Sequence, residues 1–311
     1  MLKSFLRLLA GLFRRLRGHL VLIFLGPVMA VSRYNFRLWL QHGYYIRPIH
    51  FYEPIPDIRE LEKSYPGRSP VSGVDLRPDF QLQLLKDTFP LFKPEYGALR
   101  LQADPTNPKT FYLNNFTFTG VDPHVYYCMI RHFNPATIIE VGAGFSTMLA
   151  AEALNKNQSG QLLSIEPYPN EVIASGIPGV EHIRRKGEEV ELDFYLRLKA
   201  NDILFIDSSH VVKIGSDVCY FVLEVLPRLA PGVIIHFHDI FLPFNYPKTF
   251  VMEKHHFWNE QYLLHAYLID NPHIETLFAV NMMCIDQPEA IKTAFPHASN
   301  WAGGSLWLRK L

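Results

Sequence analysis

The residues able to do chemistry sit in four short stretches. TIIEVGAGFST, from Thr137 to Thr147, carries Glu140, Gly142, Gly144 and Ser146; SIEP carries Glu166; IDSSH carries Asp207 and His210; HFHDIF carries His236, His238 and Asp239. Glycines directly after an apolar run let the backbone turn sharply and let a ligand come close, where a Cβ would obstruct one or the other. Ser146 or Thr147 is then placed to cap the following helix, whose free N–H groups favour a polar or anionic ligand group. Glu166 lies 22 residues after Gly144, where a carboxylate can accept both hydroxyl hydrogens of a ribose; a helix-capping or solvated carboxylate is the plainer alternative. Asp207, His238 and Asp239 combine carboxylates with imidazole, a set that can ligate a divalent cation. Without a metal, His210 or His238 can act as a general base oriented by Asp207 or Asp239. A structural cluster with no chemistry is the third reading.

Strand ends must hold these groups in place. Thr137–Val141 is an apolar, β-branched run, followed by a helical stretch FSTMLAAEALNKN. Further runs follow at Gln161–Pro167, Val180–Lys186, Asp202–His210 and GVIIHFHDIF, with a helix expected over 216–229 and another over Trp258–Asn271. Apolar strands alternating with helices indicate a parallel sheet covered on both faces. Alternation along a strand puts His236 and His238 on the same side. Two late strands, IETLFAVNMMC and SLWLRKL, close the chain.

Before the cradle the pattern is less regular. Residues 1–40 read as a basic and apolar helical segment, 41–123 as an accessory or cap region, and 124–311 as the ligand-binding domain. Within the accessory region a helix is expected over Asp79–Phe89, and Asp122 with Pro123 reads as an N-cap and first-turn proline. Specificity is expected around Tyr52, Tyr112, Asn114 and Asn115 and in the loop FLPFNYPKTF. Lys3, Arg7, Arg14, Arg15 and Arg17 among Leu and Phe suggest an amphipathic helix. The run from Leu20 to Val31 is too short to span a bilayer, which takes about 20 residues, and Pro27 interrupts it. Contact with a membrane surface through residues 1–31 and packing on the domain both remain open. With 30 Lys+Arg against 30 Asp+Glu, no global field points to nucleic acid. Three widely spaced cysteines, Cys128, Cys219 and Cys284, suit a reducing compartment, so a cytoplasmic location is expected.

EVGAGFST with SIEP, IDSSH and HFHDIF resembles the class I S-adenosylmethionine-dependent methyltransferases, most closely a bacterial group of small-molecule and sugar-type methyltransferases. The resemblance runs from about Asn114 to the C-terminus, and IRPIHFYEPIPD is similar to that group's N-terminal extension. A nicotinamide-type domain would want a third glycine near Thr147. The resemblance implies an α/β fold: a doubly wound, mostly parallel, seven-stranded Rossmann-like sheet with an antiparallel last strand, plus the accessory region. It implies S-adenosylmethionine as cofactor, held by Glu140, Gly142, Gly144, Ser146, Glu166 and Asp207, with adenine near Lys186, Gly187 and Glu188. Catalysis falls to His210, His238 and Asp207, and the acceptor is a small molecule bearing a hydroxyl.

Metal-dependent catechol-type O-methyltransferases and cephalosporin-hydroxylase-like proteins, which the Asp207 to Asp239 region also resembles, hold magnesium with acids at these two strand ends. Here His238 stands beside Asp239, where those groups have a second acid or an amide. Imidazole shifts the expectation from Mg²⁺ toward Mn²⁺, Fe²⁺ or Zn²⁺. A non-catalytic binding protein on the same scaffold, or a hydroxylase-like enzyme, is the alternative function.

Overall fold

The structure, a computed structural model, describes Leu16, Leu20 and residues 33–311. The amphipathic and apolar readings of residues 1–31 otherwise lie outside the described residues. The chain divides into two compact units, 1–64 and 65–311. In the first, a helix Arg33–Gln41 precedes an extended, aromatic-rich stretch. A short helix Ile58–Lys63 follows, capped by Asp57, which accepts a hydrogen bond from the Arg59 N–H at 3.0 Å.

The second unit is built on seven strands: β1 Thr137–Val141, β2 Gln161–Ile165, β3 Val180–Ile183, β4 Ile203–Ile206, β5 Ile234–His238, β6 Ile274–Ala279 and β7 Ser305–Lys310. Their order is β3-β2-β1-β4-β5-β7-β6. The first five are parallel, and β7 runs antiparallel to both β5 and β6. Strands β4 and β5 are buried along their whole length, which is why they read as continuous apolar runs rather than alternating ones. The order reverses at β1, so the loops after β1 and β4 part and open a crevice at the carboxyl edge.

Several local readings give way to long-range packing. The expected strand Ile274–Cys284 stops at Ala279, and Val280–Asp286 forms a helix that buries Val280, Met282 and Met283. A short buried apolar run does not by itself distinguish strand from helix. Asp122 is not the N-cap of the helix Asp122–Phe133; Val121 holds that position. The Asp122 carboxylate instead accepts from the Gly304 N–H at 2.9 Å and the Ser305 hydroxyl at 2.5 Å, tying this helix to the start of β7. The division into compact units falls at Ser64, and residues 65–123 share the core of the sheet. Phe89 packs edge-on against Phe278 of β6 at 5.3 Å, and the Tyr96 hydroxyl donates to the Ala294 carbonyl.

His236 and His238 do share a side of β5, with ring centroids 5.7 Å apart. Their fates differ. His236 lies parallel to Phe205 at 4.1 Å and edge-on to Trp307 at 4.4 Å. Burial drives its pKa well below the ordinary value, and neither ring nitrogen has a hydrogen-bond partner. It is a neutral ring in an aromatic column.

Glu140 is the charged group the fold buries most tightly around the cradle. Its Oε2 accepts from the Thr147 hydroxyl at 2.6 Å and the Ser164 hydroxyl at 3.1 Å, and Thr147 Oγ1 in turn accepts from the Gly144 N–H at 2.9 Å. One side chain thus links β1, β2 and the helix Phe145–Asn157. Its other oxygen has no partner. Burial raises the carboxyl from 4.5 to about 7 against the pull of the hydroxyls of Thr147, Ser146 and Ser164. An acid that keeps its proton in the native state is stabilising only while it is protonated. Native stability should therefore fall as pH rises from 4.5 to about 7, by up to about 3 kcal/mol. Glu140→Gln, which retains an acceptor for Thr147, should flatten that slope in urea unfolding, and an unchanged slope would remove Glu140 as its source.

Candidate active site

The cradle is shaped by how closely two strand ends approach. The Asp207 N–H donates to the Val141 carbonyl and the Gly142 N–H to the Ile165 carbonyl, both at 2.9 Å. Gly142 adopts φ +90°, and a Cβ there would lie 1.9 Å from the Asp207 carbonyl oxygen. Only glycine fits. At Gly144, by contrast, a Cβ would meet open space, and its backbone is extended. Gly144 is the N-cap of the helix and Thr147, not Ser146, closes the cap; Ser146 is buried in the first turn. Glu166 follows β2 directly, its own N–H bonded to the Ile183 carbonyl at 3.1 Å. Its carboxylate accepts from the Tyr168 N–H at 2.7 Å and sits 3.4 Å from the Ala143 nitrogen.

These groups border a cavity of about 510 Å³ lined by Gly142, Glu166, Lys186, Gly187, Glu188 and Asp207, among others. A larger one of about 680 Å³ lies on the outer side of the helix Phe145–Asn157, around Glu152 and Asn155, and contains none of the strand-end acids.

At the Asp207 end, the second constellation begins. His210 Nε2 lies 3.2 Å from Asp207 Oδ1 and 3.8 Å from Asp239 Oδ2, while its Nδ1 is 2.9 Å from Glu260 Oε2. Asp207, His210 and Asp239 each offer one ligand atom, and these lie within 4.8 Å of one another. His238 is not part of that set. Its ring is buried on the sheet face, 5.2 Å from Phe118, with Nδ1 unpartnered. His210 and Asp239 both have positive φ, 58° and 53°, a conformation uncommon outside glycine that costs free energy and recurs at functional sites.

Charge is concentrated here. Burial opposes ionisation of Asp207, yet His238 and His210 hold its carboxyl down at about 2. It keeps 32% of its side-chain surface open. Burial also disfavours charge on His210, but the hydrogen bonds to Asp207 and Glu260 outweigh it and raise the pKa well above the ordinary value. Burial raises Asp239 and Glu260. Three carboxylates around one imidazole need positive charge in their midst, from an imidazolium or a metal cation.

Glu260 is the residue that sequence reading misses. It opens the helix Glu260–Leu268, where an acid usually reads as a solvated first-turn group favoured by the helix dipole. Here it is 1% exposed. Its placement is long-range: the His210 carbonyl accepts from the N–H groups of Asn259 and Glu260, and Asn259 Oδ1 accepts from the Val212 N–H. Trp258 packs over the His210 ring at 4.4 Å. The stretch 112–118 borders the site from the other side, with Tyr112 against Phe145 at 5.1 Å and Phe118 against His238. Asn115 is buried and spends its side chain on the backbone of Tyr112, Thr117 and Phe118, so it shapes that loop rather than facing a ligand.

Residues 139–240 match the family model described as a methyltransferase domain. An uncharacterized protein of Archaeoglobus fulgidus is 33% identical over 171 residues, covering 50% of this chain and 75% of that protein. Among solved structures, an O-methyltransferase from Bacillus cereus in complex with SAH overlaps 74% of this chain and 90% of its own at 11% identity and a TM-score of 0.36. The O-methyltransferase TomG of Streptomyces achromogenes, involved in tomaymycin synthesis and in complex with SAM, overlaps 81% and 94% at 13% identity and a TM-score of 0.35. The sequence match runs from β1 to the end of β5, the part of the sheet that forms the crevice, so the chain carries a methyltransferase domain over residues 139–240.

Proposed function

We propose that the protein methylates a hydroxyl oxygen of a small-molecule, sugar-type acceptor, with a divalent cation held by Asp207, His210 and Asp239. One observation carries the reading: Asp207 lines the cofactor-sized cavity and is also a member of the acid and imidazole cluster. A methyl donor in the cavity and a hydroxyl at the cluster would therefore be neighbours. Methyl transfer from a sulfonium is an in-line displacement that needs alignment and a deprotonated acceptor.

The residues fit both groups. Backbone at Gly142 to Gly144 suits the methionine part of S-adenosylmethionine, Glu166 suits the ribose hydroxyls, and Lys186 to Glu188 border the space for adenine. S-adenosylmethionine supplies the electrophilic methyl group, and a cation at the cluster supplies Lewis-acid stabilisation of the acceptor oxyanion. Glu260 accepts the Nδ1 proton of His210 and so leaves the Nε2 lone pair directed at the two aspartates, the carboxylate and histidine pairing that orients metal ligands. The same geometry weakens His210 as a metal-free base, because a ring held protonated between carboxylates has no lone pair to offer. Two carboxylates and one imidazole suit Mn²⁺ or Fe²⁺ better than Mg²⁺. Phe118, Trp258 and the loop after Asp239 border the acceptor side.

Glu166→Ala should weaken S-adenosylmethionine binding in calorimetry by about ten- to a hundredfold, the scale of hydrogen bonds to a charged group, without changing the melting temperature. Gly142→Ala should lower both, because its Cβ collides with the Asp207 backbone. Absence of binding by the native chain, or binding indifferent to Glu166→Ala, sinks the cofactor reading. Elemental analysis at neutral pH should find about one divalent ion per chain, lost in Asp239→Ala, and Glu260→Ala should lower metal affinity by about ten- to a hundredfold. A native protein that takes up no Mn²⁺, Fe²⁺, Zn²⁺ or Mg²⁺ would falsify the metal reading and leave cofactor binding untouched.

A further inference from the structure

The first unit presents apolar side chains to solvent. Tyr44, Tyr45, Ile49, Phe51, Tyr52 and Ile55 are each more than half exposed, Phe51 and Tyr52 more than four-fifths. The rings of His50, Phe51 and Tyr52 touch one another, with His50 and Phe51 4.3 Å apart, and so form a small aromatic cluster that nothing in the unit covers. Leu38 and Leu40 of the helix Arg33–Gln41 are exposed as well. Scattered exposed apolar residues are ordinary, whereas a contiguous run of this kind marks a surface that meets something.

The charge pattern selects the partner. The first acidic residue of the chain is Glu53; before it stand eight basic residues, Lys3, Arg7, Arg14, Arg15, Arg17, Arg33, Arg37 and Arg47. Glu53 is committed to Arg47 through an ion pair at 2.5 Å. The overall balance of 30 basic and 30 acidic residues hides this segregation. Residues 1–52, free of acids and carrying eight basic side chains, repel a second copy of themselves and are complementary to anionic headgroups. Tyrosine and phenylalanine next to arginine also match the layered chemistry of a bilayer surface. Rings settle at the headgroup level, where one edge is apolar and the other wet, while guanidinium groups pair with phosphate. Such a contact lies on a bilayer rather than crossing it. Leu20 to Val31 is too short an apolar run to span about 30 Å of hydrocarbon, and among the described residues no helix is long and apolar enough to cross.

We propose that residues 38–55 form a docking surface for an anionic lipid bilayer, assisted by the basic residues that precede it. This does not depend on the methyl-transfer reading.

The test is flotation of the full chain with vesicles of phosphatidylcholine alone and with about one-third phosphatidylglycerol, at about 0.05 M and about 0.5 M salt. The native protein should float with the anionic vesicles only, and high salt should weaken this. Replacing Tyr44, Tyr45 and Phe51 together by Ser should reduce the partition by about tenfold or more, with an unchanged melting temperature reporting an intact fold. No flotation with anionic vesicles, equal flotation with neutral ones, or a triple variant that floats like the native chain would each overturn the proposal. Retention of RNA without flotation would also overturn it, assigning the basic stretch to nucleic acid.

Discussion

The parallel approach of β1 and β4 governs the site. Where their ends meet, the Asp207 N–H is bonded to the Val141 carbonyl and the Asp207 carbonyl occupies the space a Cβ of residue 142 would need. The strand order reverses at that junction, so the loops that follow the two strands part and a crevice opens at the carboxyl edge. Gly142 makes the approach possible, and Asp207 is exposed to the crevice because of it. Glu166, from the neighbouring β2, reaches the same crevice for the same reason.

Burying charge next to that crevice requires compensation. Glu140 is neutralised in place, its carboxyl raised to about 7 and one oxygen occupied by the hydroxyls that cap the next helix. Asp207, Asp239 and Glu260 are compensated differently, by converging on His210. Removing one partner from such a group leaves an uncompensated buried charge, which costs more than the pair contributes. The strained φ of His210 belongs to the same economy: hydrogen bonds from the N–H groups of Asn259 and Glu260 to its carbonyl hold a conformation the local chain disfavours.

Histidines in HFHDIF show how far residue type can be read. Alternation correctly puts His236 and His238 on one side of β5, but chemistry depends on what lies across from each. Phe205 and Trp307 enclose His236, leaving it neutral and without a hydrogen-bond partner. Asp207, Asp239 and Asp122 surround His238 and raise its pKa against the cost of burial. Asp122 itself illustrates the opposite error: its local context suits an N-cap, yet Gly304 and Ser305 claim its carboxylate.

By itself the sequence determined the order of the seven strands, the glycine turn, and the acids that end β2, β4 and β5, because each is written in consecutive residues whose periodicity and steric needs are local. It also determined the acid-free character of residues 1–52. Only the tertiary structure decided that Glu260, 50 positions away, lies within hydrogen-bond distance of His210, and that ligand atoms of His210, Asp207 and Asp239 come within 4.8 Å of one another. Helix formation at Val280–Asp286, in place of a continued β6, was decided there too. These outcomes depend on which buried donors and acceptors meet across the chain, and desolvation makes such long-range partners outweigh any preference of the local sequence.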